Sequence, residues 1–506
     1  VSSMSNFKKA VIFGLLGWGT LAGFSVAEYS KILAKSCYFG QSWLFCSENL
    51  NSPLKAILIL SFAFSIICLV CSGIFIWKSF KAKEEISTKK TIVTVILFLF
   101  LALLVVPFSS GDIVYYFYAG KAEQHTDLNL FTQDWYRDNY FVNPPVKYFN
   151  ERFPYGPLMA RTFGAVYQLS QDNVLAFIVL WKITVMILFL FGGWLVYKYL
   201  KSMGCDFSRN GFWLLWCLQP LMLFEGLSTG HQDILWLVFV ILAILFAQKK
   251  KWWLVLPALT VGIWIKIIPA FFIPFFIVKW WQDVHKDNWT KLVGQQIIGV
   301  ALSVLITILS WGHFWNGLGV FTTLGKMSKT AGGSTFAAIY YSLKPLFQFL
   351  IGANFHWYLT RVVQFSLIAL VLFMMYPIIK KMFLILFKKA SWSETEFISV
   401  LLASLLVYMI FWHKWVWPWY MLWFFPLAII ANVINVSKYL KRAAIWIILS
   451  PIFFHVIWLI NFKLTGGDAN AQLWFYWYMV ISIFAYPAYN LFKLRKIGYK
   501  NEENII

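Results

Sequence analysis

Charge is scarce in this sequence. Only 13% of its 506 residues are Asp, Glu, Lys or Arg, against about 25% in a soluble domain. Hydrophobic residues make up 60% and fall in long unbroken runs, which excludes a soluble multi-domain protein. The short motifs of soluble enzymes are missing as well: there is no Walker loop, dinucleotide fingerprint, HExxH pair or CxxC zinc pattern. No nucleotide-binding domain is expected. Cysteines number six. Cys68, Cys71, Cys205 and Cys217 read as buried or inner thiols. Cys37 and Cys46 share an outer segment, and their spacing leaves a disulfide open without fixing its geometry.

Acids are the rarer sign, 21 against 43 basic residues, for a net charge of +22. The basic residues form short clusters between apolar runs, which is how orientation signals look, so nucleic acid is excluded as a partner. Aromatic residues reach 20%. Most would anchor the two water interfaces, but aromatics also line sites for sugars and isoprenoid chains.

The apolar runs mark about twelve spans, near 10–27, 54–77, 91–108, 173–197, 211–226, 233–248, 292–311, 358–379, 397–412, 417–436, 443–461 and 473–492. The segment 252–278 is flanked by basic residues on both sides and interrupted by Pro257, Lys266, Pro269 and Pro274. It reads as a re-entrant hairpin of two half-helices meeting near Ile265 to Pro269. Roughly two-thirds of the Lys and Arg residues then fall in the inner segments, although the outer segments are far longer. The expected fold is an all-α polytopic membrane protein of about 12 transmembrane helices plus that hairpin, forming one integral membrane domain over 1–506. Both termini would be cytoplasmic, and the large outer loops would be 28–53, 109–172 and 312–357. A Lys-, Ile- and Phe-rich composition hints at a low-GC bacterium, hence its plasma membrane.

Four polar groups stand out against this apolar background. Asp112 leaves the membrane beside Gly111 and ahead of Tyr115 and Tyr118. An acid at a membrane mouth faces a polar cavity and suits general-base work, although it could equally cap a loop helix. Glu225, Ser228, Thr229, His231, Gln232 and Asp233 crowd one short outer turn. Ser228 or Thr229 explains a cap, but a cap does not need Glu, His and Asp together. Lys266, at the hairpin tip, needs either an anionic ligand or a salt bridge to Glu225 or Asp233. His413 and Lys414 lie in a second short outer turn among Trp412, Trp415, Trp417, Trp419 and Tyr420, which suits a phosphate with sugar and isoprenoid neighbours. The bland alternative there is an interfacial aromatic belt with a snorkelling lysine. Arg152, Arg137 and Lys147 in the long loop are weaker candidates. Lys182, inside a span, has no evident role.

Taken in chain order, these pieces resemble the C-type membrane glycosyltransferases (GT-C). They are similar above all to the polyprenyl- or dolichyl-phosphate-mannose-dependent mannosyltransferases of mycobacterial lipoglycan and GPI-anchor assembly. The matching pieces are Gly111-Asp112 with Tyr115, Tyr118 and Gly120; Phe153-Pro154-Tyr155-Gly156-Pro157-Leu158; Gly230-His231-Gln232-Asp233; Lys266-Ile267-Ile268-Pro269; and Pro418-Trp419-Tyr420-Met421-Leu422-Trp423 with Pro426-Leu427. The resemblance implies an inverting hexosyltransferase, with mannose as the sugar and a lipid-linked or cell-envelope glycan as acceptor. Asp112 would be the catalytic base. His413, Lys414, Lys266, His231, Gln232 and Asp233 would hold the donor's phosphate and sugar. Tyr115, Tyr155, Glu225, Arg152, Trp419 and Tyr420 would line the site. Gly111 stands where some members carry a second acid, so no metal or other cofactor is indicated. The competing reading is a transporter or lipid-linked glycan flippase, which would use the same broken helices and intramembrane charges.

Overall fold

In a chain this apolar, hydrophobicity does little to say where a helix begins, and polar side chains take over that task. In the computed structural model, Ser87, Asn173, Ser208 and Ser334 each accept a backbone N–H in the first turn of the helix they precede. Ser393 and Glu396 form a reciprocal capping box, and Pro157 opens its helix at a position where no N–H is needed. The structure describes residues 4–33, 52–105, 107, 112–124, 129–131, 153–286, 289–318, 334–414, 416–434, 436–450, 473 and 476–500.

Among the described residues the architecture is all-α, with no strand. The chain divides into two units. The first comprises Val1–Leu245, Leu256–Ala270 and Val300–Gly325. Its helices are α1 (Asn6–Leu33), α2 (Ser52–Lys81), α3 (Thr88–Leu104), α4 (Asp112–Glu123), α5 (Pro157–Ser170), α6 (Val174–Ser202), α7 (Arg209–Cys217) and all but the last turn of α8 (Asp233–Gln248). The distal part of α9 (Trp252–Ile265) belongs here too. α1 packs along α2, and α4 lies on α5. The second unit comprises Phe246–Val255, Phe271–Gly299 and Lys326–Ile506. It holds α10 (Ile273–Lys286) and the long helices Phe355–Leu386 and Glu394–Val407.

Among the described residues, five helical stretches are long and apolar enough to cross a membrane: Leu60–Lys81, Val174–Ser202, Trp289–Trp311, Phe355–Leu386 and Glu394–Trp412. All five coincide with expected spans. Their outer faces carry what a membrane solvates. On Trp289–Trp311, Ile297, Val304, Ile308 and Leu309 are exposed, as are Phe365 and Leu372 on Phe355–Leu386. Contiguous apolar surface of this kind is a liability in water and a match for lipid. This is an integral membrane protein.

The remaining expected spans are less regular, for physical reasons. α3 is 17 residues long. The 211–226 run breaks after Cys217, just ahead of Pro220, and resumes as a π-helical turn, Met222–Ser228. That turn and α8 form a pair bent by 115°. The 417–436 run splits into a 3-10 stretch, Pro418–Phe424, and the helix Phe425–Val433. Within 252–278, α9 stops at Ile265, a 3-10 turn covers Ile268–Phe272, and α10 follows. Cys68, Cys71, Cys205 and Cys217 are free thiols; Cys37 and Cys46 lie outside the described residues.

Candidate active site

The first unit gathers its charged side chains where two helices are interrupted. The π-helical turn Met222–Ser228 carries Glu225, and such turns recur at functional sites because they bulge the backbone out of register. Thr229 N donates to Phe224 O at 3.0 Å, which closes the wide turn, and Thr229 Oγ1 donates to Glu225 O at 2.6 Å. Gly230 follows with φ +71°, a left-handed conformation that glycine adopts freely. A side chain there would also meet Ile113 Cδ1 at 2.9 Å. The Gly230 carbonyl accepts a 2.6 Å bond from Trp181 Nε1. This local geometry turns His231 back toward both Glu225 and α4.

His231 is fully buried, as is Glu225. Its Nε2 lies 3.4 Å from Glu225 Oε2 and its Nδ1 lies 3.6 Å from Asp112 Oδ2. Asp112 is the first residue of α4, so its charge sits at the favourable end of the helix dipole. Its side chain is 34% exposed, the only one of the three open to its surroundings.

A second pair lies alongside in sequence. Asp233 opens α8 and is fully buried; its Oδ1 accepts a 2.6 Å bond from Lys266 Nζ and a 3.3 Å bond from Trp236 Nε1. Lys266 occupies the break after α9, and its N donates to Gly262 O. Of the two partners the sequence left open for Lys266, the geometry selects Asp233. Gln232 is buried between the two groups in the chain.

The Pro154-Tyr155-Gly156-Pro157 turn is pressed against the same break. Gly156 N donates to Ile265 O at 3.1 Å, and a Cβ on Gly156 would lie 2.1 Å from Trp264 O. Only glycine permits that approach. It brings the Tyr155 ring to 5.9 Å from Lys266 Nζ, and sets Tyr155 edge-on to Tyr115 and Tyr116. Tyr115 stacks on Phe153. The result is an aromatic wall on the α4 side of the charged group, of the kind that suits the apolar faces of a sugar ring.

Lys182 acquires a role. It is buried, and its Nζ donates to Leu103 O at 3.3 Å and to Val105 O. Ser228 Oγ donates to Ala102 O. Both satisfy carbonyls at the end of α3 that a helix terminus leaves without partners, and so tie that end to α6 and to the Met222–Ser228 turn. Sequence reasoning also passed over Trp181 and Tyr116. Trp181 adjoins the in-span lysine, a signal that was there to be followed.

The second unit holds the other candidates. His413 follows the π-helical turn Tyr408–Trp412, and its Nδ1 is 3.2 Å from the Tyr408 hydroxyl. Tyr420 and Trp423 pack against its ring, while Trp419 stacks on Trp417. Lys414 lies over the Phe336 ring, and its carbonyl accepts from Ser334 Oγ. Burial and the neighbouring Arg361 hold its ammonium below lysine's usual value. Arg152, Arg137, Lys147 and Gly111 lie outside the described residues. Among the described residues, no group of three or more His, Cys, Asp or Glu is arranged to hold a metal ion.

Fold and site define an all-α membrane protein with a buried acid–imidazole–acid chain that opens at one carboxylate. Residues 11–282, more than half of the chain, match the family described as alpha-(1->6)-mannopyranosyltransferase, N-terminal domain. The chain belongs to this family and is a GT-C-like mannosyltransferase. No curated protein and no solved structure matches it. The matched stretch contains Asp112, Glu225, His231, Asp233 and Lys266, and ends ahead of His413 and Lys414.

Proposed function

We propose that this mannosyltransferase takes its sugar from a polyprenyl-phosphate donor and passes it, with inversion, to a lipid-linked or cell-envelope glycan on the extracytoplasmic face. Asp112 is the base. It draws the proton from the acceptor hydroxyl as that oxygen attacks the sugar C1 and the lipid phosphate departs. The observation that carries this reading is the placement of Asp112: a partly exposed carboxylate at a helix start, backed by a buried imidazole and beside a tyrosine-rich wall.

The departing phosphate needs cationic or N–H stabilisation. The candidates are Lys266 in the first unit and His413 with Lys414 in the second. No step of this chemistry calls for a metal. The location that fits is a bacterial plasma membrane with both termini cytoplasmic, because the basic clusters then lie inside.

The test is to incubate the purified protein with a panel of polyprenyl-phosphate sugars and a native lipid extract. Mannosyl transfer from polyprenyl-phosphate mannose is expected, and Asp112→Asn should abolish it while leaving donor binding intact. Near-normal turnover in that variant would remove Asp112 from the role. Transfer only from a nucleotide sugar would overturn the donor assignment.

A further inference from the structure

Two carboxylates flank one imidazole at the mouth of this site. An approach of 3.4–3.6 Å between an imidazole nitrogen and a carboxylate oxygen is favourable when a proton lies between them. His231 makes two such approaches, to Asp112 and to Glu225. Glu225 is held for this arrangement by Thr229, whose Oγ1 also lies 3.4 Å from Glu225 Oε2. The imidazole is held by the left-handed Gly230, by the Trp181 bond to its carbonyl, and by the His231 N–H to Glu225 O at 3.3 Å.

We infer that His231, backed by Glu225, is the positioning residue for Asp112. The inference rests on the reading of Asp112 as the base. His231 Nδ1–H engages Asp112 Oδ2, which fixes the carboxylate plane and turns Oδ1 toward the acceptor hydroxyl. In the transfer step the acceptor oxygen bonds to the sugar C1, and the C1–O bond to phosphate breaks with its electron pair leaving on phosphate. The acceptor proton passes to Asp112 Oδ1. Asp112 is then neutral, and the negative charge it gave up is carried by the departing phosphate. The added proton returns to water through Asp112, because His231 and Glu225 are closed off.

The test exploits the shapes of amide side chains. In His231→Asn the amide nitrogen occupies the place of Nδ1 and keeps a donor toward Asp112. In His231→Gln it occupies the place of Nε2 and addresses only Glu225. His231→Ala keeps neither. The expected order of kcat is wild type, then Asn within about tenfold, then Gln and Ala lower by about 100-fold, with KM for donor and acceptor unchanged. A purely structural histidine would not separate Asn from Gln. Equal activities for those two folded variants, or an alanine variant within about threefold of wild type, would overturn the inference. Folding is checked by size-exclusion profile and thermal midpoint in detergent. If no His231 variant folds, Glu225→Gln decides, because it keeps shape and an oxygen for Nε2 while removing the second negative charge. A fall in kcat of about tenfold is expected, and no change rejects the triad. Asp112→Asn is measured alongside. If it is inactive while the His231 variants are normal, only the positioning role fails; if it is active, the base assignment fails.

Discussion

Lys266 Nζ lies 2.6 Å from Asp233 Oδ1, joining the break after α9 to the first turn of α8. Asp233 is fully buried and Lys266 nearly so. Removing one member of such a pair strands the other charge. Lys266→Met should therefore lower stability by on the order of 3 kcal/mol, read as a drop in the thermal midpoint in detergent. The double variant Lys266→Met with Asp233→Asn should recover part of that loss, since no charge is then left alone. An unchanged midpoint for the single variant would show that the Asp233 carboxylate has another partner of equal strength.

Gly156→Ala tests the close approach of the Pro154-Tyr155-Gly156-Pro157 turn to α9. The added methyl would overlap a backbone oxygen at 2.1 Å, and backbone cannot rotate away as a side chain can. The cost should be about 1–3 kcal/mol. Activity should fall further than stability, because Tyr155 moves with the turn. A variant with wild-type thermal midpoint and turnover would show that the turn slides freely.

Much of this arrangement was legible in the sequence, for one reason. In an apolar chain each polar side chain is conspicuous, so Asp112, Glu225, His231, Asp233 and Lys266 could be picked out singly. What the sequence withheld was pairing. Lys266 had two acids within plausible reach, and it takes the folded chain, with Lys266 Nζ 2.6 Å from Asp233 Oδ1, to show the pairing. Likewise, nothing in the spacing of Gly156 reveals that it meets Trp264, which lies far away in the chain. Span lengths were read well where runs lack proline, as in Val174–Ser202, and less well around Pro220 and Pro418, where the backbone loses a donor and the helix breaks.

Lys182→Met asks whether the buried lysine serves the end of α3. Methionine fills similar volume but leaves the Leu103 and Val105 carbonyls without their donor. A loss of about 1–3 kcal/mol is expected from two unsatisfied buried acceptors. Turnover should fall as well, since the end of α3 is also bonded to Ser228 of the turn that carries Glu225. Full activity with reduced stability would confine Lys182 to holding the fold.

Glu84 supplies a pH-dependent prediction away from the site. It accepts from Asn6 N at 3.0 Å, Asn6 Nδ2 at 2.8 Å, Phe7 N at 3.1 Å and Ser79 Oγ at 3.0 Å, so the loop between α2 and α3 caps the start of α1. Partial burial pushes its carboxyl up, but these hydrogen bonds outweigh it and hold the group below glutamate's ordinary value. A folded-state value depressed in this way contributes stability above the unfolded-state value. That contribution is lost as pH falls through the folded-state value. Glu84→Gln should therefore be less stable than wild type by about 1 kcal/mol at neutral pH. The gap should close as the buffer is taken into the acid range, where wild type protonates and the variant does not change. Thermal midpoints of both proteins across pH measure this directly, and a gap independent of pH would mean that the loop is held by shape instead of by the carboxylate.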